Sequence, residues 1–176
     1  MEINIENWKE FEVGKLFDCY LGKNPDLLLI DEMGKYPLIS AQSSNNGICG
    51  YTDCEDSSFI YKNKLTLGNR GTYLCLYHPY EFFAGSNLIV FVEKEEMTNY
   101  QKLFIATAIN KLNFGGYNNY PTKTSIVKET IKLPAIYNAE KEEYEPDWNY
   151  MEEFIINLQE DVKDKLKRLR QKWMIF

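Results

Sequence analysis

The first two-thirds of the chain alternates short apolar runs with clusters of turn-forming residues. The turn signals are NNG at residues 45–47, GNRG at residues 68–71 and GSN at residues 85–87. The apolar runs lie at residues 59–61, 65–67, 73–77 and 88–92. Short runs bounded by Gly and Asn predict β-strands. The run at residues 88–92 is continuously apolar, so we expect this strand to be buried on both faces.

A helix is predicted over residues 99–112, because apolar side chains there recur at helical spacing. Thr98 or Asn99 would cap its start, and the Gly pair at residues 115 and 116 would end it. The loop at residues 113–125 is polar, aromatic and glycine-bearing. Residues 131–134 predict a short strand closed by proline.

The last part of the chain has the clearest periodicity, with apolar residues repeating every seven positions. Other apolar residues follow members of this series, first by three positions and later by four, and together they form one stripe along the helix. Asp147 would cap one helix of roughly 25 residues, about 37 Å long. A small sheet domain cannot bury so long a stripe, so we predict coiled-coil-like pairing with another helix. The alternative is a terminal helix that folds back on its own domain. The predicted interface consists of Trp148, Met151, Ile155, Leu158, Val162, Leu166, Leu169 and Trp173.

These elements predict an α+β fold. Residues 1–138 would form a compact mixed α/β domain of short twisted strands. Residues 139–147 would form an acidic connector, and residues 148–176 the long helix for pairing.

The charge balance argues against a nucleic-acid partner when it is taken over the whole chain. There are 20 Lys and Arg against 26 Asp and Glu, a net charge of −6. Residues 57–132, however, carry nine basic and five acidic side chains. A mildly basic centre therefore lies between acidic flanks, although its excess of four positive charges is small for a DNA-binding protein.

The usual metal and catalytic motifs are missing from the sequence. The four Cys have no C-x-x-C spacing, and the single His, His78, lies where we predict a strand end entering a turn. We therefore expect no metal, no cofactor and no enzyme activity, and reduced thiols in a cytoplasmic protein. No apolar run is long enough to span a bilayer, so we expect no membrane partner.

An ordered set of short motifs resembles the target-recognition domain of type I restriction–modification specificity subunits, with relatives in type IIB and IIG enzymes. The motifs are WKEFEVGKLF (residues 8–17), GKYPLISAQSSNNGICGY (34–51), LTLGNRGT (65–72), FFAGSNLIVF (82–91), LFIATAINK (103–111), GGYNNYPTK (115–123) and IKLPAIYNAEKEEYEPDWNYMEEFI (131–155). The resemblance covers nearly the whole chain in the expected order.

The resemblance implies a sequence-specific DNA-binding module that directs an adenine methyltransferase subunit to its site, with a restriction motor subunit as a further candidate partner. Such subunits contain two recognition domains and two helices that pack antiparallel, whereas this chain has one of each. It therefore resembles a half-subunit that homodimerises on a palindromic, bipartite double-stranded DNA site, or a module of a larger protein.

DNA recognition requires amides and hydroxyls for base edges and cations for phosphates. The side chains that we predict to contact DNA are Ser40, Gln42, Ser44, Asn45, Asn46, Lys62, Lys64, Arg70, Tyr117, Asn118, Asn119, Thr122 and Lys123. Alternatives remain open at each group. The NNG turn could serve backbone geometry alone, Arg70 could cap a hairpin, and the Tyr-rich loop could be the outer wall of the fold.

Two other functions compete with DNA recognition. The chain could be a protein-interaction or decoy module that joins a specificity complex through its helix without reading DNA. A hydrolase built on Asp and Glu side chains is a third class.

Overall fold

The computed structural model describes residues 5–24, 30, 31, 33–115 and 119–173, with side chains to residue 171. In chain order its helices and strands are β1 (Lys9–Glu12), α1 (Val13–Leu16), β2 (Phe17–Leu21), β3 (Tyr36–Ile39), β4 (Ile48–Thr52), β5 (Ile60–Gly68), β6 (Cys75–Ala84), β7 (Leu88–Glu93), α2 (Asn99–Ile109), β8 (Thr130–Leu133), β9 (Ala135–Asn138), β10 (Glu143–Pro146) and α3 (Trp148–Trp173).

A six-stranded mixed sheet is the largest element, with the strand order β2-β7-β5-β6-β3-β4. Its neighbours are antiparallel except for β3 and β6, which are parallel. Two antiparallel pairs, β1 with β8 and β9 with β10, lie outside this sheet. The α+β prediction of a mixed domain followed by a long helix is confirmed.

β5 and β6 form one long hairpin, and this hairpin is bent near the middle of its length. Near its closed end Leu67 pairs with Cys75, and at its open end Ile60 pairs with Phe83. β7 begins beside Gly68, near the closed end, yet only three residues link it to the end of β6. Such a link spans at most about 14 Å, whereas a straight nine-residue strand measures about 30 Å. The two ends of the hairpin must therefore lie close together.

The bend lies at Asn63, where the register of β5 against β6 shifts. Asn63 has a left-handed backbone (φ 54°), which Asn tolerates better than most residues. Pro79 lies opposite the bulge, a position in which a strand tolerates the missing N–H. Two of our predictions are wrong here: residues 60–61 and 65–67 belong to one strand, with Phe59 in the 3-10 turn before it, and His78 lies inside β6 rather than at its end.

The main hydrophobic core lies between α2 and one face of the bent sheet. Phe104 of α2 contacts Trp8 at 5.6 Å and Phe154 of α3 at 5.7 Å between ring centroids. Thr98 caps α2 and forms a capping box with Gln101, which confirms one of the two predicted caps. The sheet contributes Leu65, Leu67, Cys75, Ile89 and Phe91.

α2 ends at Ile109, three residues earlier than predicted and well before the two glycines. The reason is tertiary. The Asn110 amide accepts a hydrogen bond from the Cys75 backbone N–H at 2.7 Å and donates one to its carbonyl at 2.9 Å. This pairing attaches the end of α2 to the start of β6.

A second core fills the concave side of the hairpin and contains the only histidine. His78 is fully buried, its Nε2 lies 2.8 Å from Thr66 Oγ1, and its ring lies 4.7 Å from that of Phe82. Burial lowers the pKa of His78 from 6.5 to about 4, because the charged form would lose its hydration. The ring is therefore neutral at pH 7.

The long helix α3 lies in two environments. Asp147 caps it through a 3.0 Å bond from the Tyr150 N–H, as predicted. Met151 is 0% exposed and Ile155 9%, because both pack in the main core, where Trp148 also packs. These three residues, predicted as a partner interface, pack on the chain's own domain instead. The same face is 47–53% exposed further along, at Leu158, Val162, Leu166 and Leu169.

The predicted acidic connector contains regular structure. Its last residues form β10, which pairs with β9, and Tyr137 and Tyr144 contact each other across this pair at 5.3 Å. Residues 143–146 thus belong to a β-hairpin with β9. The domain boundaries at residues 138 and 147 stay a prediction. None of the helices described here is long and apolar enough to cross a membrane.

We expect Met151→Ala to lower the free energy of unfolding by about 3 kcal/mol, because it leaves a cavity where the side chain is fully buried. Leu158→Ala is the matched control on the same helix face, and its cost should stay below about 1 kcal/mol for the monomer. Urea unfolding at low protein concentration measures both. Equal costs would contradict the two-environment description of α3.

Stability should also depend on pH through His78. Between the folded pKa of about 4 and the unfolded value of 6.5, the unfolded chain binds a proton that the folded chain does not. The contribution is therefore complete above about pH 6.5 and is lost as the pH falls toward 4. From pH 7.5 to 5.5 we expect a loss of about 1.3 kcal/mol in urea unfolding. His78→Gln removes the only His, and an undiminished pH dependence in this variant would refute the assignment.

Candidate nucleic-acid interface

Four loops meet at one end of the six-stranded sheet. The backbone of Gly85 donates to the Ile39 carbonyl at 2.9 Å, and that of Asn69 donates to the Asn87 carbonyl at 3.0 Å. A Cβ added to Gly68 would lie 3.0 Å from the Cβ of Ala41. A Cβ on Gly22 would overlap the Gly85 carbonyl, so only glycine fits there. Residues 22–24, 40–47, 68–74 and 85–87 thus form one surface, which we call the loop surface.

The loop surface contains no Asp or Glu, although the chain has 26 of them. Its cations are Lys23 and Arg70, both exposed. The remaining side chains are rich in amides and hydroxyls, the groups that hydrogen-bond base edges and phosphates. Lys23 is a residue that sequence reasoning missed, because a lone Lys after a strand has no distinguishing pattern.

The loop at residues 40–47 contains three consecutive left-handed residues, Asn45 (φ 49°), Asn46 (φ 50°) and Gly47 (φ 80°). Ser40 closes it by donating its N–H to the Gly47 carbonyl at 2.9 Å. The Gln42 amide donates to the Ile48 carbonyl at 2.6 Å, so its nitrogen is used inside the fold. Ser44, Asn45 and Asn46 are exposed. The NNG sequence therefore does serve backbone geometry, the alternative left open above.

Two predicted cations lie in ion pairs rather than free on the surface. Lys64 and Lys102 both pair with Glu93, and the Lys102 Nζ to Glu93 Oε1 distance is 2.6 Å. Burial alone would raise the pKa of Glu93, but hydrogen bonds from Lys102 and Lys64 outweigh it and hold the pKa below its usual value. Lys64 thus belongs to a partly buried ion-pair cluster and is not a free cation on the surface. Lys62 pairs with Glu81 at 3.3 Å and is exposed.

Thr122 and Lys123, two of the predicted DNA contacts, lie away from the loop surface. Thr122 Oγ1 accepts from the Ser125 N–H at 2.9 Å and so stabilises the turn that precedes residues 126–128. That turn packs on α1, at the opposite end of β2 from Gly22. Lys123 is exposed there. Asn119 is exposed, its amide donates to the Asn113 carbonyl at 2.6 Å, and its own backbone carbonyl accepts from the Gly115 N–H at 2.7 Å, so it closes the loop after α2. Tyr117 and Asn118 lie outside the described residues.

Two observations concern metal ligands and thiols in the part of the chain described. It contains no group of three or more His, Cys, Asp or Glu side chains placed to hold a metal ion. Burial raises the pKa of Cys19 to about 12 and also raises that of Cys75, so both thiols stay protonated.

Comparisons with known proteins identify the family. The model of the type I restriction modification DNA specificity domain matches residues 5–168. The specificity subunit S.BcgI of a type II restriction enzyme from Heyndrickxia coagulans is 29% identical over 158 residues, which cover 86% of this chain and 44% of that protein.

Solved structures share the fold. A type I restriction–modification S subunit from M. genitalium has a TM-score of 0.64 at 18% identity, over 97% of this chain and 43% of that one. The HsdS subunit from Thermoanaerobacter tengcongensis has a TM-score of 0.54 at 13% identity, over 96% and 41%. The chain thus spans less than half the length of these relatives. With the family model matched over most of its length, the chain belongs to the type I restriction modification DNA specificity domain family.

Proposed function

We propose that this chain reads a DNA sequence through the loop surface and directs a methyltransferase or restriction complex to that site. One observation carries the proposal: four loops from distant parts of the chain form a surface without carboxylates, with two exposed cations and many amides. A phosphate backbone favours such a surface over the acidic remainder of the chain. The membership of a DNA specificity domain family supports it.

The reaction itself would belong to partner subunits. An adenine methyltransferase subunit, and in restriction complexes a motor subunit, would modify or cleave DNA that this chain has selected. The relatives that supply this expectation are named as specificity subunits of restriction enzymes and restriction–modification systems. The chain contributes binding and position.

The exposed half of α3 supports pairing with the same helix of a second copy. Four large apolar side chains about half exposed on one helix face form a stripe that water does not favour. The stripe, which we call the α3 stripe, comprises Leu158, Val162, Leu166 and Leu169. An antiparallel pair would bury all four residues from each copy in a symmetric interface.

Selection from a random duplex library, with the chain alone and with its methyltransferase subunit, tests DNA recognition directly. We expect one enriched motif. Arg70→Ala and Lys23→Ala should each weaken binding to that motif and lower the slope of log affinity against log salt by about 1. Fluorescence anisotropy between 50 and 200 mM salt measures the slope.

Lys132→Ala is the matched control, because Lys132 is an exposed cation on β8, at the side of the sheet where α2 packs. Its slope should equal that of the wild type. The absence of any enriched motif with the methyltransferase present would refute DNA recognition. Retained partner assembly in that case would favour the decoy function.

Leu158→Asp combined with Leu166→Asp should convert a dimer into monomers in sedimentation velocity, since charges would enter an apolar interface. The domain should still fold, because both side chains are exposed in the single chain. Asn157→Asp with Arg168→Asp changes the opposite helix face and should leave the dimer intact. A wild type that stays monomeric at high concentration would remove the basis for homodimerisation.

A further inference from the structure

The side chain of Asn46 is anchored at one end only. Its Nδ2 lies 3.1 Å from the Tyr77 carbonyl oxygen, 3.3 Å from His78 Nδ1 and 3.3 Å from the Tyr80 hydroxyl. A backbone carbonyl accepts hydrogen bonds and cannot donate them, so the amide nitrogen and not its oxygen must face Tyr77. The residue as a whole is exposed, and none of the described hydrogen bonds involves its Oδ1.

Asn46 is held in this orientation by a buried relay. Since Nδ2 carries only hydrogens, His78 Nδ1 must be the accepting nitrogen of a neutral ring, and the ring proton lies on Nε2. That proton points at Thr66 Oγ1, which lies 2.8 Å away. A flip of the Asn46 amide would place its oxygen against the Tyr77 carbonyl and leave Nδ1 without a donor. The relay from Thr66 through His78 therefore fixes which end of the amide faces outward.

This orientation limits what Asn46 can recognise. An Asn that pairs with adenine in the usual bidentate way donates to N7 and accepts from the N6 amine. In Asn46 the donor is already committed to Tyr77 and His78, so only the acceptor Oδ1 is available. In the major groove an acceptor can pair with the exocyclic amine of adenine or of cytosine, whereas guanine and thymine present acceptors of their own.

We propose that Asn46 is a specificity-determining residue that recognises one exocyclic amine, on adenine or cytosine, by accepting a single hydrogen bond through Oδ1. The inference rests on the proposed DNA recognition and adds the chemical group that is read. Thr66 and His78 are positioning residues, because they act on DNA only through Asn46. Asn45, its neighbour in the same left-handed turn, has no such anchor among the described residues.

Base analogues separate this mode from its competitors in the wild-type protein. In the selected duplex, each adenine or cytosine is replaced in turn by its counterpart that lacks the amine, deoxynebularine or deoxy-2-pyrimidinone. Each purine is separately replaced by its 7-deaza form, which lacks N7. At one base pair we expect amine removal to weaken binding about tenfold and the 7-deaza change less than about twofold. If no base pair shows this pattern, the proposal is overturned.

Asn46→Gly assigns the effect to this residue, because glycine adopts the φ of 50° without strain. The variant should bind the parent duplex about tenfold more weakly, and amine removal at the assigned pair should then have no further effect. Asn45→Gly, at φ 49°, is the matched control and should keep the full amine dependence. A thermal melt confirms that each variant folds.

The possible results separate the two proposals. Loss of binding with the 7-deaza purine at the same pair would show bidentate recognition and overturn the single-acceptor mode. An amine effect that persists in Asn46→Gly would assign it to another residue, with the same consequence. A wild type that selects no motif at all would instead refute the DNA recognition on which the inference rests.

Discussion

The backbone bend at Asn63 lets the β5–β6 hairpin contribute to the main core and to the second core, and it brings the two ends of the hairpin together. Around the bend, Glu93 pairs with Lys64 and Lys102, and Lys102 also donates to the Asn63 carbonyl at 2.8 Å. The side chains of Lys102 and Glu93 are 4% and 7% exposed, and charges so deeply buried are tolerated only when they are paired and hydrogen-bonded. The cluster thus stabilises the bend, and the bend places β7 and the loops of the loop surface at one end of the sheet.

Some polar side chains of the loop surface also use their hydrogen-bonding atoms inside the fold. Gln42 and Asn46 each use an amide nitrogen to satisfy a backbone carbonyl, at 2.6 and 3.1 Å. Side chains that order a loop cannot also use those atoms on a ligand. Exposed groups such as Arg70 and Asn45 make no side-chain hydrogen bond among the residues that the structure describes. A recognition loop therefore divides into atoms that fix its shape and atoms that contact its target.

The helix α3 shows how one periodic pattern serves two purposes. Its apolar face is continuous in sequence, yet the first turns pack against α2 and the later turns extend beyond the domain. Periodicity reports which face is apolar and carries no information on what covers it. Both interpretations of the stripe, packing on the domain and pairing with another helix, therefore apply to different parts of the same helix.

The sequence by itself determined the α+β class, the capped starts of α2 and α3, the buried strand β7 and the family, because these follow from local patterns or ordered motifs. Tertiary structure decided the bend at Asn63, the early end of α2 at Asn110, the burial of His78 and the pairing of Lys64. It also joined Lys23 and Arg70 on one surface. Each of these depends on a contact between residues far apart in the chain, which no local pattern encodes.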